Sequence, residues 1–221
     1  MLIPLSDASR RPMTFPFVTA AIIAVNVLVF IAELAGGDDF VNKWSLIPAN
    51  ISSGTGLITI VTSMFMHASW SHILGNMVFL WAFGPEMEDM MGPLRYVIFY
   101  LVGGVIAMLA QVIADPHSSV PNLGASGAIA AVMGGFLVTF PRDRIKSVLF
   151  LGWFFKITLI PAALLIVVWF LLQLVSVGSI TDAQGGGVAY LAHIGGTIYG
   201  VAAARLFEGR KPIAPPDDAI V

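Results

Sequence analysis

Along the chain, long apolar runs alternate with short polar stretches rich in glycine or proline. Apolar runs of about 17–25 residues have the length of membrane-crossing helices. Six segments fit that pattern: Phe15–Ala32, Ser69–Gly84, Tyr96–Ala114, Leu123–Phe140, Ile157–Val177 and Val188–Ala204. Pro16 opens the first, where a missing N–H costs little, and Pro161 falls in the opening turn of the fifth. Ser69 precedes the second as an N-cap, its hydroxyl able to accept from a free N–H of the first turn. Residues 44–85 carry no formal charge, but Pro48, Ser52, Ser53, Gly54 and Gly56 make the early part a loop, as does Gly36-Gly37-Asp38-Asp39. The pattern predicts an all-α polytopic membrane protein, a bundle of six transmembrane helices. It has an N-terminal segment at 1–14, a transmembrane domain at 15–207 and a disordered tail at 208–221. The tail carries Pro212, Pro215, Pro216, Asp217 and Asp218 and has too little apolar surface to fold.

Composition agrees. The chain is 57% hydrophobic and 11% charged, against about 45–50% and about 25% in soluble domains, and its mean hydropathy is +0.89. Cysteine is absent, which excludes disulfides, thiolate nucleophiles and sulfur-ligated metals. A net charge of −2 with no basic stripe excludes a nucleic-acid surface. Cationic residues collect on the cytoplasmic side of membrane proteins. With both termini cytoplasmic, ten of the eleven Lys and Arg lie inside and only Lys43 outside. This is the arrangement of a multi-pass protein of the cell (inner) membrane. It also makes spans two, four and six parallel, each starting at the outer face.

Chemistry concentrates where those three spans begin. Ser126 sits between Gly124 and Gly127 in span four, His193 lies in span six, and His72 and Asn76 lie one turn apart in span two. At 1.5 Å per residue all four fall roughly 5–10 Å below the outer helix ends, in a layer that water can reach. Three positive helix-dipole ends point toward that layer and favour an oxyanion there. Serine in a membrane helix more often back-bonds to a carbonyl or aids packing, and a lone histidine can serve as a packing hydrogen bond. A hydroxyl and an imidazole brought together in a nearly charge-free protein instead point to serine proteolysis within the bilayer. Position 128 is alanine, so the Gly-x-Ser-x-Gly elbow of soluble hydrolases is not met. No His-Glu-x-x-His zinc motif occurs.

Four motifs in order, His72-Ile-Leu-Gly-Asn76, Gly84-Pro-Glu-Met-Glu88-Asp-Met-Met-Gly92, Gly124-Ala-Ser126-Gly127 and Ala192-His193-Ile-Gly-Gly196-Thr-Ile-Tyr-Gly200, resemble the rhomboid family of intramembrane serine proteases. The resemblance spans about residues 15 to 207. It implies a rhomboid-like bundle in which Ser126 is the nucleophile and His193 its general base and later acid, without a third carboxylate. His72, Asn76 and the Ser126 N–H would form the oxyanion hole. Gly124, Gly127, Gly196 and Gly200 would let spans four and six approach closely, as small residues do in membrane helix pairs. No metal or cofactor is implied. The expected partners are the lipid bilayer and single-span transmembrane protein substrates, cleaved near the outer membrane face.

One position departs from the family pattern. Four residues after the serine the family commonly carries an aromatic ring that packs on the histidine, and here Ala130 stands there. Tyr190 and Trp81 are the candidates to support His193 instead. Glu88 is expected to organise the cytoplasmic end of span two through hydrogen bonds. Two other readings remain at this stage: a non-proteolytic rhomboid-like protein that binds transmembrane clients, and a small transporter. The first would be marked by loss of the serine or histidine, and the second by charged or broken segments at the midplane.

Overall fold

The computed structural model describes residues 2–152, 154–178 and 190–209. Within them the chain forms α1 (Phe17–Trp44), α2 (Pro48–Ser52), α3 (Thr59–Thr62), α4 (Trp70–Met91), α5 (Pro93–Ala114), α6 (Ser126–Thr139), α7 (Ala162–Gly178) and α8 (Tyr190–Phe207). Three strands, β1 (Leu2–Asp7), β2 (Arg144–Leu151) and β3 (Phe154–Pro161), make one antiparallel sheet in the order β1-β2-β3. The protein is therefore mostly helical but not all-α. By length and composition, α1 and α5 can each cross a membrane.

The helices extend beyond the hydropathy pattern where punctuation residues fail to stop them. Helix α1 passes through Gly36-Gly37 to Trp44, with a kink at Gly37, whose φ of +58° only glycine adopts freely. Helix α4 runs on through Pro85 and ends at Gly92, whose φ is +80°. Pro93 then starts α5 at once, a position where proline loses no helical hydrogen bond. Ser69 caps α4, its Oγ accepting from the His72 N–H at 3.2 Å.

The fifth run is where the expectation needs correcting. Residues 157–161 belong to β3, and the helix begins only at Ala162. Ile157, Thr158 and Ile160 suit a strand, where β-branched side chains pack well. Their partners are Val148, Ser147 and Ile145, and the hairpin turns at Gly152, φ +63°. Ile145 and Ser147 are fully buried, with Ile145 in the main core. Arg144 and Lys146 point to the opposite face, the period-2 signature of a strand. Hydropathy alone merged the apolar half of this strand with the helix after it.

The N-terminal segment is also more ordered than its polarity suggests. Leu2 pairs with Leu149 and Asp7 with Ile145, with a register shift between Pro4 and Ser6. Past the strand, Arg10 Nη2 donates to Asp143 Oδ1 at 2.9 Å and Arg10 Nε donates to Asp143 Oδ2. The Arg10 guanidinium lies 4.1 Å from the centre of the Phe140 ring. At the same end of the molecule, Glu88 accepts from the Val18 and Thr19 N–H groups at 2.9 and 2.7 Å and from Thr19 Oγ1 at 2.8 Å. Glu88 thus caps the start of α1 rather than organising only the end of its own helix. Of the expected tail, Glu208 and Gly209 are described and join the core end: Thr139 Oγ1 donates to Glu208 Oε1 at 3.1 Å. Residues 210–221 lie outside the described residues, as do Val188 and Ala189 of the sixth run.

The core is built around α6, almost all of which is buried, with α4, α5 and α8 packed about it. Glycine decides how closely these helices meet. A Cβ at Gly196 would overlap the Gly127 carbonyl oxygen, one at Gly200 the Ala131 carbonyl oxygen, and one at Gly134 the Thr197 carbonyl oxygen. Helices α6 and α8 therefore touch backbone to backbone.

Candidate active site

Ser126 is the first residue of α6, three positions later than the hydropathy pattern would start the helix. In the preceding loop Gly124 has a φ of +133°, a conformation that glycine adopts freely and other residues rarely do. Two backbone anchors position it. Asn122 exchanges bonds with Leu46 at 2.7 and 3.0 Å, and the Gly124 N–H donates to the Ser63 carbonyl at 2.9 Å. The segment between α1 and α4 is thus a clamp on the serine loop. As the first residue of a helix, Ser126 has an N–H with no intrahelical acceptor.

His193 lies in the first turn of α8, 7% exposed, and its Nε2 is 2.6 Å from Ser126 Oγ. The contact follows from the glycine approach of α6 and α8, since Gly127 and Gly196 meet just beyond the two side chains. His72 sits in the first turn of α4. An added Cβ at Gly124 would lie 3.0 Å from His72 Cε1 and Nε2 and 3.5 Å from Ser126 Oγ. Gly124 is thus the residue that lets imidazole and hydroxyl flank one loop position. Asn76, one turn on, is 7% exposed, and its Nδ2 is buried with no hydrogen-bond partner among the described residues. The first turns of α4, α6 and α8 therefore meet in one place, with their free N–H ends directed there.

The surroundings of His193 differ from the sequence expectation. Tyr190 stands edge-on to the imidazole with ring centres 6.3 Å apart. Trp81, by contrast, is 44% exposed on α4. Two residues of α7 that the sequence reading passed over are closer. The Trp169 ring lies 5.4 Å from the imidazole at 39°, and Gln173 Oε1 is 2.8 Å from His193 Nδ1. A signal was available, because Gln173 is the one side-chain amide in the apolar run Ala162–Gly178, four residues after its one tryptophan. Ala130 is fully buried, and its Cβ is 3.3 Å from where a Gly196 Cβ would be. A large ring there would have to displace α8 or turn aside from it.

Chemically, a hydroxyl hydrogen-bonded to an imidazole, with a buried amide donor one helical turn on from His72, is equipped for acyl transfer. Glu88 is also a buried polar group but stands apart from this arrangement, whereas Glu33 and His67 border it behind His72. The Glu33 carboxylate accepts from the His67 N–H at 2.9 Å, and the His67 ring meets His72 edge-on at 5.1 Å.

Comparison with known proteins places the chain. A rhomboid domain model matches residues 54–210. The chain is 28% identical to mitochondrial rhomboid protein 1 of Saccharomyces cerevisiae over 186 residues, 82% of this chain and 50% of that protein. It is 27% identical to rhomboid protease GluP of Bacillus subtilis over 135 residues, 58% of this chain and 26% of that one. Rhomboid protease GlpG of Yersinia pestis is 25% identical over 185 residues, 83% of this chain and 60% of its own. The match thus covers between about a quarter and three fifths of the length of these relatives. With the matched domain covering well over half of its residues, the chain belongs to the rhomboid family of polytopic membrane proteins.

Proposed function

We propose that this protein is an intramembrane serine endopeptidase that cleaves single-span transmembrane substrates near the outer membrane face. The observation that carries the reading is the 2.6 Å contact between Ser126 Oγ and His193 Nε2, made between two helix starts. Both termini are cytoplasmic in this reading, and six spans, with α7 as the fifth, cross the cell membrane with α4, α6 and α8 starting at the outer side. The relatives named as rhomboid proteases support it, and no metal or cofactor is needed.

In the reaction, Ser126 Oγ attacks the scissile carbonyl carbon while its proton passes to His193 Nε2. The carbonyl oxygen becomes an oxyanion, received by Asn76 Nδ2, His72 and the Ser126 N–H. Removing one such donor typically costs about 10²–10³ in rate. The C–N bond then breaks as the imidazolium returns its proton to the leaving amine, which gives an acyl-enzyme. A water that loses its proton to His193 attacks the ester carbon, and the acid product leaves with Ser126 restored. Substrate must reach Ser126 as an extended strand, because a helix keeps its carbonyls in its own hydrogen bonds. Substrates whose helix unwinds readily, with a small residue before the scissile bond, fit this requirement.

A fluorophosphonate probe applied to detergent-solubilised protein tests the reading. Labelling at Ser126, lost in Ser126→Ala with thermal stability nearly unchanged, is the expected result. Cleavage of a model transmembrane substrate by Ser126→Ala would refute it.

A further inference from the structure

The geometry points to Gln173 as a positioning residue that fixes the tautomer and the plane of His193, making α7 a working part of the site. The inference rests on the proposed Ser126–His193 chemistry for its kinetic consequence but not for its structural content.

An amide has one face that donates and one that accepts. Gln173 Nε2 donates to the Trp169 carbonyl one turn earlier, at 3.3 Å. With the NH₂ engaged there, Oε1 is turned toward His193 Nδ1, 2.8 Å away. The opposite orientation would set amide oxygen against carbonyl oxygen, two acceptors facing each other. Because Oε1 can only accept, the proton of the neutral imidazole must sit on Nδ1. That leaves Nε2 unprotonated, and Nε2 is the nitrogen 2.6 Å from Ser126 Oγ. The tautomer that accepts the serine proton is thereby selected by a residue 47 positions from the serine.

The same helix supplies the packing. Trp169, four residues before Gln173, lies with its ring 5.4 Å from the imidazole, so the two residues share a face of α7. Together they do from α7 what no side chain at Ala130 does from α6. A neutral acceptor also suits the location. An ionised carboxylate in this role would stand in an apolar span, where charge is costly. An amide oxygen orients the ring without that cost, and its bond strengthens when His193 becomes an imidazolium.

The test uses the full chain in detergent micelles, with Gln173→Leu and Gln173→Glu. Leucine keeps the volume and the apolar character of α7 but offers no acceptor, whereas glutamate keeps an acceptor oxygen. Histidine-specific ¹⁵N NMR, made on wild type and on Ser126→Ala, should show His193 protonated at Nδ1 in both. In Gln173→Leu the His193 signals should move to a mixture of tautomers, and in Gln173→Glu they should return to Nδ1–H. In parallel, kcat for a model substrate should fall about 10²–10³-fold in Gln173→Leu with KM unchanged, and recover to within about tenfold in Gln173→Glu. An unchanged His193 tautomer in Gln173→Leu overturns the inference, as does a glutamate variant as slow as the leucine one. If the tautomer shifts as expected but wild type turns over no substrate, the protease reading fails and the role of Gln173 in orienting the ring stands.

Discussion

Where α1 begins and α4 stops, Glu88 has both carboxylate oxygens engaged by Val18 and Thr19, and Asp143 has both of its own engaged by Arg10. Where α4, α6 and α8 begin, Asn76 Nδ2, Ser63 Oγ and both ring nitrogens of His67 are buried without partners among the described residues. Both ends bury polar groups beside the same apolar core, and both leave some open, Asp7 Oδ2 and Glu86 Oε2 at the first, but only the first ties distant segments together through fully engaged carboxylates. A buried donor without a partner costs about 1–3 kcal/mol, and where α4, α6 and α8 start that cost falls on an amide donor, Asn76 Nδ2. The difference separates a region whose paired carboxylates hold distant segments together from one where, under the proposed reading, an open donor awaits a substrate oxyanion.

The comparison would break if variants at the two ends behaved alike. The largest effect belongs to the dyad. Ser126→Ala, His193→Ala and the double variant should all be inactive, the double no worse than either single, because nucleophile and base act as one unit. Cleavage assays in proteoliposomes would reveal additive losses, which a true dyad does not produce. Asn76→Ala comes next. It should lower kcat about 10²–10³-fold while thermal stability holds or rises, since it deletes an unpartnered donor. Normal kinetics would remove Asn76 from the oxyanion site.

At the other end the signs reverse. Glu88→Ala strands the Val18 and Thr19 donors and should destabilise the protein by about 2–4 kcal/mol. Turnover per folded molecule should change little, as judged by denaturant melts combined with active-site titration. The smallest effect concerns Asp7. Burial, and then its hydrogen bond to Asp143, push the Asp7 carboxyl up to about 8 from its ordinary 3.8. In the folded protein it keeps its proton at pH values where the unfolded chain has lost it. Its stabilising contribution is therefore complete below about pH 4 and lost as pH rises through about 8. Hydrogen exchange of the β1 amides should quicken over that range in wild type, and Asp7→Asn should flatten the dependence. An unchanged profile in Asp7→Asn would place the titration elsewhere.

Much of the molecule was legible in one dimension. Apolar run length marked most of the helices, Ser69 marked the start of α4, and the glycines at 127, 196 and 200 marked the faces where α6 and α8 meet. The candidate serine and histidine stood out because ionisable and nucleophilic groups are rare in so apolar a chain. Each of these signals is local, arising from the free energy of a side chain in its own turn or span.

Contacts between distant segments were not legible in that way. Strand β1 pairs with β2 more than 130 residues away, and nothing in either segment names the other. Glu88 caps α1 across a separation of about 70 residues, although its own neighbourhood suggested only its own helix. The support of His193 comes from Trp169 and Gln173, chosen by how α7 lies against α8 rather than by any motif. The sequence by itself determined which stretches are apolar, where helices can start and which rare groups are available for chemistry. Only the tertiary structure decided which of those groups meet, because hydrogen bonds act over about 3 Å of space, whatever the separation along the chain.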